Sequence, residues 1–209
     1  MIIKNTNIKD IRQILIIFGG LPILQVDLEE LQDDNEDRNN MLAGFVSAIE
    51  SFSTSYDLSS NEAKVVGFGS SNIIIDKSEH GIIGALITDK TADNKVEILG
   101  KKLSLIINLF TSKYIDLLKT STSVDEYIFN EFFPYIIGFL VDSKLTDKNI
   151  PKPTNVSEYP DLMSGDCFRV FMQIDGVRNV KQICDSLGSY EKFFPLFKYL
   201  ESSGIIKLN

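Results

Sequence analysis

The chain has 209 residues, of which 44% are hydrophobic and 24% charged, so it is long enough for one large folded domain or two small ones. Its formal net charge of −8 makes nucleic acid an unfavourable partner, because an acidic surface repels phosphate backbones. The acidity is uneven: residues 1–150 contain 22 acidic and 14 basic side chains, whereas residues 151–209 contain seven of each.

The cysteine content and the lengths of the apolar runs indicate the cellular compartment. Cys167 and Cys184 are the two cysteines, and so few thiols predict free cysteines in a reducing compartment. The first ten residues lack the apolar core and cleavage site of a signal peptide. The apolar run 132–141 has ten residues, too few to span a bilayer as a helix. We therefore expect a soluble, cytoplasmic protein without a transmembrane segment.

The first predicted element is a β-hairpin over residues 14–28. Two apolar runs flank Gly19 and Gly20, and glycine reaches the positive φ values that a tight turn needs. The first run has no polar face, which predicts that both faces of its sheet are covered. Alternation in the second run, at Leu24 and Val26, predicts a strand at the edge of the sheet.

An acidic segment follows the hairpin, with seven carboxylates between Asp27 and Asp37. An EF-hand calcium loop requires ligands at alternate positions, a central glycine and a distal glutamate. The segment contains no glycine and its carboxylates do not alternate. A solvated loop that precedes a helix is therefore favoured over a calcium site.

A helix is predicted over residues 40–52. Its large apolar residues recur at helical spacing and should form the buried face: Met41, Phe45, Ile49 and Phe52. Ser47, Glu50 and Ser51 then fall on the exposed face.

Three strands are predicted next, at residues 64–69, 72–76 and 82–88, and their short connections favour antiparallel pairing. The turn 67–72 superficially resembles a phosphate loop but lacks the required glycine–lysine spacing. His80, the only histidine, lies in the second turn, where we expect a surface residue. With one histidine, the sequence offers neither a Ser/His/Asp set nor a Cys/His zinc cluster, and we expect no catalytic residue, cofactor or metal.

Two long helices are predicted over residues 95–118 and 124–141, and Pro134 should kink or divide the second. Three prolines mark residues 143–161 as an extended linker. The predicted domains are therefore residues 1–142 and 162–209.

The last domain is predicted as three helices, at residues 164–174, 180–187 and 190–202, and a strand at 205–208. Three residues should face inward from the first helix: Phe168, Phe171 and Ile174. Pro195 should fall in the first turn of the third helix, which would then start late. This order is typical of a winged helix-turn-helix. The pattern I-D-G-x-R-x-V-x-x-I, from Ile174 to Ile183, resembles that of small winged-helix modules.

The first part, with the order β-β-α-β-β-β-α-α over residues 10–142, resembles the longin domain, a relative of the roadblock domain. The match includes the GGLPI turn of the hairpin and the apolar face of the long helix, and its style is that of archaeal proteins associated with small GTPases. The resemblance implies an α+β fold: a five-stranded antiparallel sheet with one helix on one face and two on the other, followed by a C-terminal winged helix.

The resemblance also implies a function. Longin and roadblock domains bind small GTPases or subunits of coat and tether complexes, and pairs of them can act as exchange factors or activators. The chain is thus expected to be a non-enzymatic adaptor that binds or regulates a small Ras-like GTPase, or a subunit of a trafficking-type complex, as a homo- or heterodimer. The candidate surfaces are the edge strand and the exposed face of the first helix: Leu24 and Val26, or Ser47, Glu50 and Ser51.

DNA binding through the winged helix is the alternative. The third helix would then present basic groups such as Lys192 and Lys198 to the groove. Two glutamates offset these lysines on the same face, so we expect a protein-interaction module rather than a transcriptional regulator.

Overall fold

A computed structural model describes residues 8, 10–28, 36–55, 63–90, 93–120, 126–154 and 165–208 of the chain. Most of the chain divides into two compact units, Lys9–Asn130 and Glu131–Asn209. The first unit is built on a β-sheet, and the second is mainly helical.

The first unit contains a five-stranded antiparallel sheet with the order β2-β1-β5-β4-β3. Its strands are β1 (Ile11–Phe18), β2 (Leu21–Asp27), β3 (Lys64–Phe68), β4 (Ser71–Lys77) and β5 (Ile83–Asp89). Gly19 and Gly20 both have positive φ in the β1–β2 turn. The predicted hairpin, the edge position of its second strand and the three later strands are confirmed.

Helices cover both faces of this sheet. Ala43 and Val46 of α1 (Glu36–Ser55) pack on one face in a cluster with residues of β1, β4 and β5. On the other face, a β-carbon added at Gly84 of β5 would lie 2.6 Å from Ile107 of α2 (Asp93–Thr120). Successive residues of a strand face opposite sides, so the wholly apolar centre of β1 is buried on both, as predicted.

The predicted buried face of α1 is wrong at two of its four positions. Met41 is 76% exposed and Phe45 41% exposed, whereas Ala43, Val46 and Glu50 are buried. Ile49 packs against the core cluster, as predicted, and the side chain of Phe52 lies outside the described residues. Small residues let the helix approach the sheet closely, and Glu50 finds basic partners there.

The predicted helix 124–141 is divided, as expected from its proline. A 3₁₀ helix spans Glu126–Phe132, and α3 (Phe133–Leu140) follows with Pro134 in its first turn. The extensive packing of α3 is against α6 (Tyr190–Ser202) in the second unit. The helix that was expected to be the second one on that face of the sheet therefore packs within the second unit.

The second unit also contains α4 (Gly165–Met172), α5 (Val180–Leu187) and a small antiparallel sheet of β6 (Pro151–Pro153) and β7 (Ile206–Leu208). β6 lies in the segment that was predicted to be a linker. This segment is extended, as expected, but its strand pairs with β7. The backbone N–H of Val180 also donates to the carbonyl of Asn149, so this segment packs on the helical unit.

Two details of the C-terminal helices differ from the predictions. Pro195 lies in the interior of α6, because the helix begins at Tyr190 rather than near the proline. The Ser189 hydroxyl caps this start by accepting from the Lys192 N–H at 3.2 Å. Phe168 is half exposed, while Cys167 and Val170 form the buried face of α4. Cys167 and Cys184 are both free, as predicted, and both are buried. Among the helices that the structure describes, none has the length and apolar character needed to cross a bilayer.

Candidate interaction surface

The residues considered for chemistry are not brought together. His80 is exposed in the turn between β4 and β5. Residues 67–72, which superficially resemble a phosphate loop in sequence, form the turn end of the β3–β4 hairpin. Within the described part of the chain, no group of three or more His, Cys, Asp or Glu residues could hold a metal ion. The acidic segment considered for calcium lies mostly outside the described residues.

The two candidate residues on the edge strand β2 offer little accessible apolar surface. Leu24 and Val26 are buried on the sheet face that also carries their partners Ile16 and Ile14. β2 contains a proline, and its register with β1 shifts beside Ile16. Prolines and bulges are features that protect an edge from pairing with another strand. This edge is therefore poorly suited to receive a partner strand.

The three candidates on α1 point in different directions. Ser51 is exposed and Ser47 is half-buried, while Glu50 is only 6% exposed. The prediction that Glu50 lies on the exposed face is wrong, so these residues do not form one surface.

Glu50 instead joins α1 to two strands. Its Oε2 accepts a hydrogen bond from Lys64 Nζ of β3 at 2.7 Å, and its Oε1 lies 3.8 Å from Lys77 Nζ of β4. Near the other end of α1, Asn39 Oδ1 accepts from Gln13 Nε2 of β1 at 3.1 Å. Polar contacts therefore attach α1 to the sheet at both of its ends.

The outward side of α1 carries a continuous apolar surface with the end of β3. Phe45 and Phe68 pack edge to face, with ring centroids 6.1 Å apart, and Phe68 is 65% exposed. Met41 lies one turn before Phe45 on the same side of the helix. We call Met41, Phe45 and Phe68 the α1–β3 patch.

The patch adjoins the β3 edge of the sheet. Among the described strands, β3 pairs with β4 alone and forms the end of the sheet opposite β2. Exposed apolar side chains beside an edge strand are typical of protein interfaces, because the strand supplies backbone hydrogen bonds and the side chains supply buried area.

Sequence reasoning found the apolar stripe of α1 but not its direction. A usable signal was present in Leu42, Val46 and Ile49, which recur at helical spacing and all pack on the sheet. Lys64 and Lys77, at the ends of apolar strands, were basic partners available to Glu50 on that side.

The lysines considered for DNA binding make contacts within the second unit. Lys192 Nζ lies 3.0 Å from Asp166 Oδ2 and 4.9 Å from the Phe193 ring centroid. Lys198 Nζ lies 5.2 Å from the centroid of the Phe194 ring.

Comparison with known proteins adds no assignment. No protein-family model matches the chain, and no curated protein matches it.

Proposed function

We propose that this chain is a non-enzymatic interaction scaffold that docks a protein partner on the α1–β3 patch. The partner class that we propose is a small Ras-like GTPase, bound alone or within a trafficking-type complex. The observation that carries the proposal is the orientation of α1, which directs Met41 and Phe45 to solvent and Glu50 to the sheet.

This orientation is costly for the isolated chain. Burying a Met or Phe side chain stabilises a protein by roughly 1.5–3 kcal/mol, and a buried carboxylate requires compensation by cations. Violations of local patterning are expected at functional sites, where another requirement outweighs stability. A partner that covers the α1–β3 patch would recover the apolar burial that the free chain lacks.

The resemblance to longin domains supplies the partner class. It rests on the order β-β-α-β-β-β-α, which residues 10–120 adopt around an antiparallel sheet. Longin and roadblock relatives also pair with one another. A homo- or heterodimer that joins sheets through β3 is one form of the same proposal, and it would leave β2 outside the interface.

The test uses the full chain and purified small GTPases from the same organism, loaded with GDP or with a non-hydrolysable GTP analogue. Binding by at least one GTPase is expected. Phe68→Asp should weaken binding by about tenfold or more, since an aromatic anchor at the centre of an interface contributes at least about 1.4 kcal/mol.

Leu105→Asp is the matched control, because Leu105 is similarly exposed on α2, on the other side of the sheet. Equal weakening by Leu105→Asp would contradict the location of the site. Absence of binding to every GTPase, together with a shift of duplex DNA at physiological salt, would favour the DNA-binding alternative. The ion pair of Lys192 with Asp166 does not favour that alternative.

A further inference from the structure

We infer that the buried contact between Glu50 and Lys64 selects the rotational orientation of α1, and so holds the α1–β3 patch in solvent. The inference concerns the helix itself. It stands or fails independently of whether the partner is a GTPase.

The helix has two faces that could pack on the sheet. At 100° per residue, Glu50 lies about 140° around the helix axis from Phe45. One side carries the buried Ala43, Val46 and Glu50, with Leu42 and Ile49 partly buried against the same cluster. The other side carries Met41 and Phe45 and is exposed. A rotation of this size would exchange them.

Apolar burial alone does not decide strongly between the two orientations. The sheet beneath α1 presents buried aliphatic side chains from three strands: Leu15, Ile17, Ile73, Ile75, Ile83 and Ala85. Such a surface is non-directional, since the hydrophobic effect depends on the area removed from water. Apolar residues lie on both sides of α1, so burial by itself discriminates only weakly between the two orientations. The inward ones, which pack against this cluster, are Leu42, Ala43, Val46 and Ile49, and the outward ones are Met41 and Phe45.

Directional contacts favour the orientation that is observed. Glu50 Oε2 lies 2.7 Å from Lys64 Nζ, and both side chains are largely buried. If α1 rotated, Lys64 would lose its carboxylate within a mostly apolar region, which is strongly unfavourable. Asn39 and Gln13 provide a second contact near the other end, at 3.1 Å. A buried polar pair can thus specify one arrangement even where it adds little stability.

Two cysteine reporters distinguish rotation from simple detachment of the helix. Met41→Cys places a thiol at a position 76% exposed, and Ala43→Cys places one at a position 0% exposed. The native Cys167 and Cys184 are buried, which raises the pKa of each thiol to about 12, so both react slowly with thiol reagents. The labelling rate therefore reports on the introduced cysteine.

Each reporter is measured in the full chain with Glu50 and with Glu50→Lys, which opposes Lys64 and Lys77 with a like charge. We expect labelling of Met41→Cys to slow by about tenfold and labelling of Ala43→Cys to rise by about the same factor, since a hydrogen bond to a charged group contributes at least about 1.4 kcal/mol. The swap Glu50→Lys with Lys64→Glu should restore both rates.

Glu97→Lys on the exposed face of α2 is the control and should change neither rate. Faster labelling of both reporters, unchanged labelling of both, or a swap that restores neither would overturn the inference. If circular dichroism shows that Glu50→Lys does not fold, Glu50→Gln carries the test. It should shift the two rates in the same opposite directions, and parallel shifts or no shift would overturn the inference equally.

Discussion

A β-carbon on Gly138 would lie 1.9 Å from the backbone oxygen of Pro195, where α3 meets α6. No side chain fits at this distance, so the two helix backbones must be in direct contact. Pro195 lacks an N–H and interrupts the hydrogen-bond ladder inside α6, at the point where α3 packs most closely. This contact joins two separate segments of the second unit.

Gly138→Ala should therefore destabilise the second unit. The methyl group would force α3 and α6 apart and cost about 1–3 kcal/mol or more, as overpacking of a close-packed core does. Urea denaturation followed by circular dichroism measures the change. The control is Gly44→Ala, at an exposed helical position where an added β-carbon meets nothing within 4 Å. That change should stabilise α1 by about 0.5–1 kcal/mol. Equal stability of Gly138→Ala and the natural chain would contradict the close contact.

Asn179 should contribute to the start of α5. Its Oδ1 accepts from the Gln182 N–H at 2.9 Å, and Gln182 Oε1 accepts from the Asn179 N–H at 2.9 Å. Asn179→Ala removes this capping box and should cost about 1 kcal/mol in the free energy of unfolding, whereas Asn179→Ser should retain most of it. Thermal unfolding of both variants tests this, and a serine variant as unstable as the alanine variant would argue against capping.

Asp175 should make the second unit sensitive to acid. The backbone N–H groups of Arg178 and Val177 and the Arg178 side chain donate to its carboxylate, and they hold the Asp175 pKa well below its usual range. In the unfolded chain the pKa of this carboxyl group is about 3.9. Its stabilising contribution is therefore complete above that pH and is lost as the pH falls further toward the folded pKa.

The measurement is the free energy of unfolding against pH for the natural chain and for Asp175→Asn. We expect the variant to be less stable at neutral pH. The difference in the free energy of unfolding between the two proteins should narrow as the pH falls below about 4. A gap of constant size down to strongly acidic pH would show that the charge of Asp175 is not responsible.

The α1–β3 patch should contribute little to folding. Phe68 is mostly exposed, so Phe68→Asp should change the free energy of unfolding by less than about 1 kcal/mol. Phe110→Ala, at a fully buried position of α2, should cost about 3–5 kcal/mol. Chemical denaturation compares the two. A loss for Phe68→Asp as large as that for Phe110→Ala would mean that the patch is structural.

Much of the fold could be predicted from local pattern. The Gly19–Gly20 turn, the alternating strands and the position of Pro134 depend on backbone geometry within a few residues, and the structure agrees with each. The candidate site was less predictable. The stripe of Met41 and Phe45 was visible, but its direction depends on Lys64 and Lys77, which lie 14 and 27 positions after Glu50. Pairing over such separations leaves no local periodic signal.

The sequence by itself determined most of the helices and strands, because turn glycines, prolines and hydrophobic period act locally. Only the tertiary structure decided which face of α1 is buried. Helical period shows that a helix has two faces, but it does not show which one meets the sheet. In the observed orientation, Leu42 and Ile49 pack on the sheet and Lys64 lies beside Glu50. This orientation leaves Phe45 and Phe68 exposed together at the β3 edge.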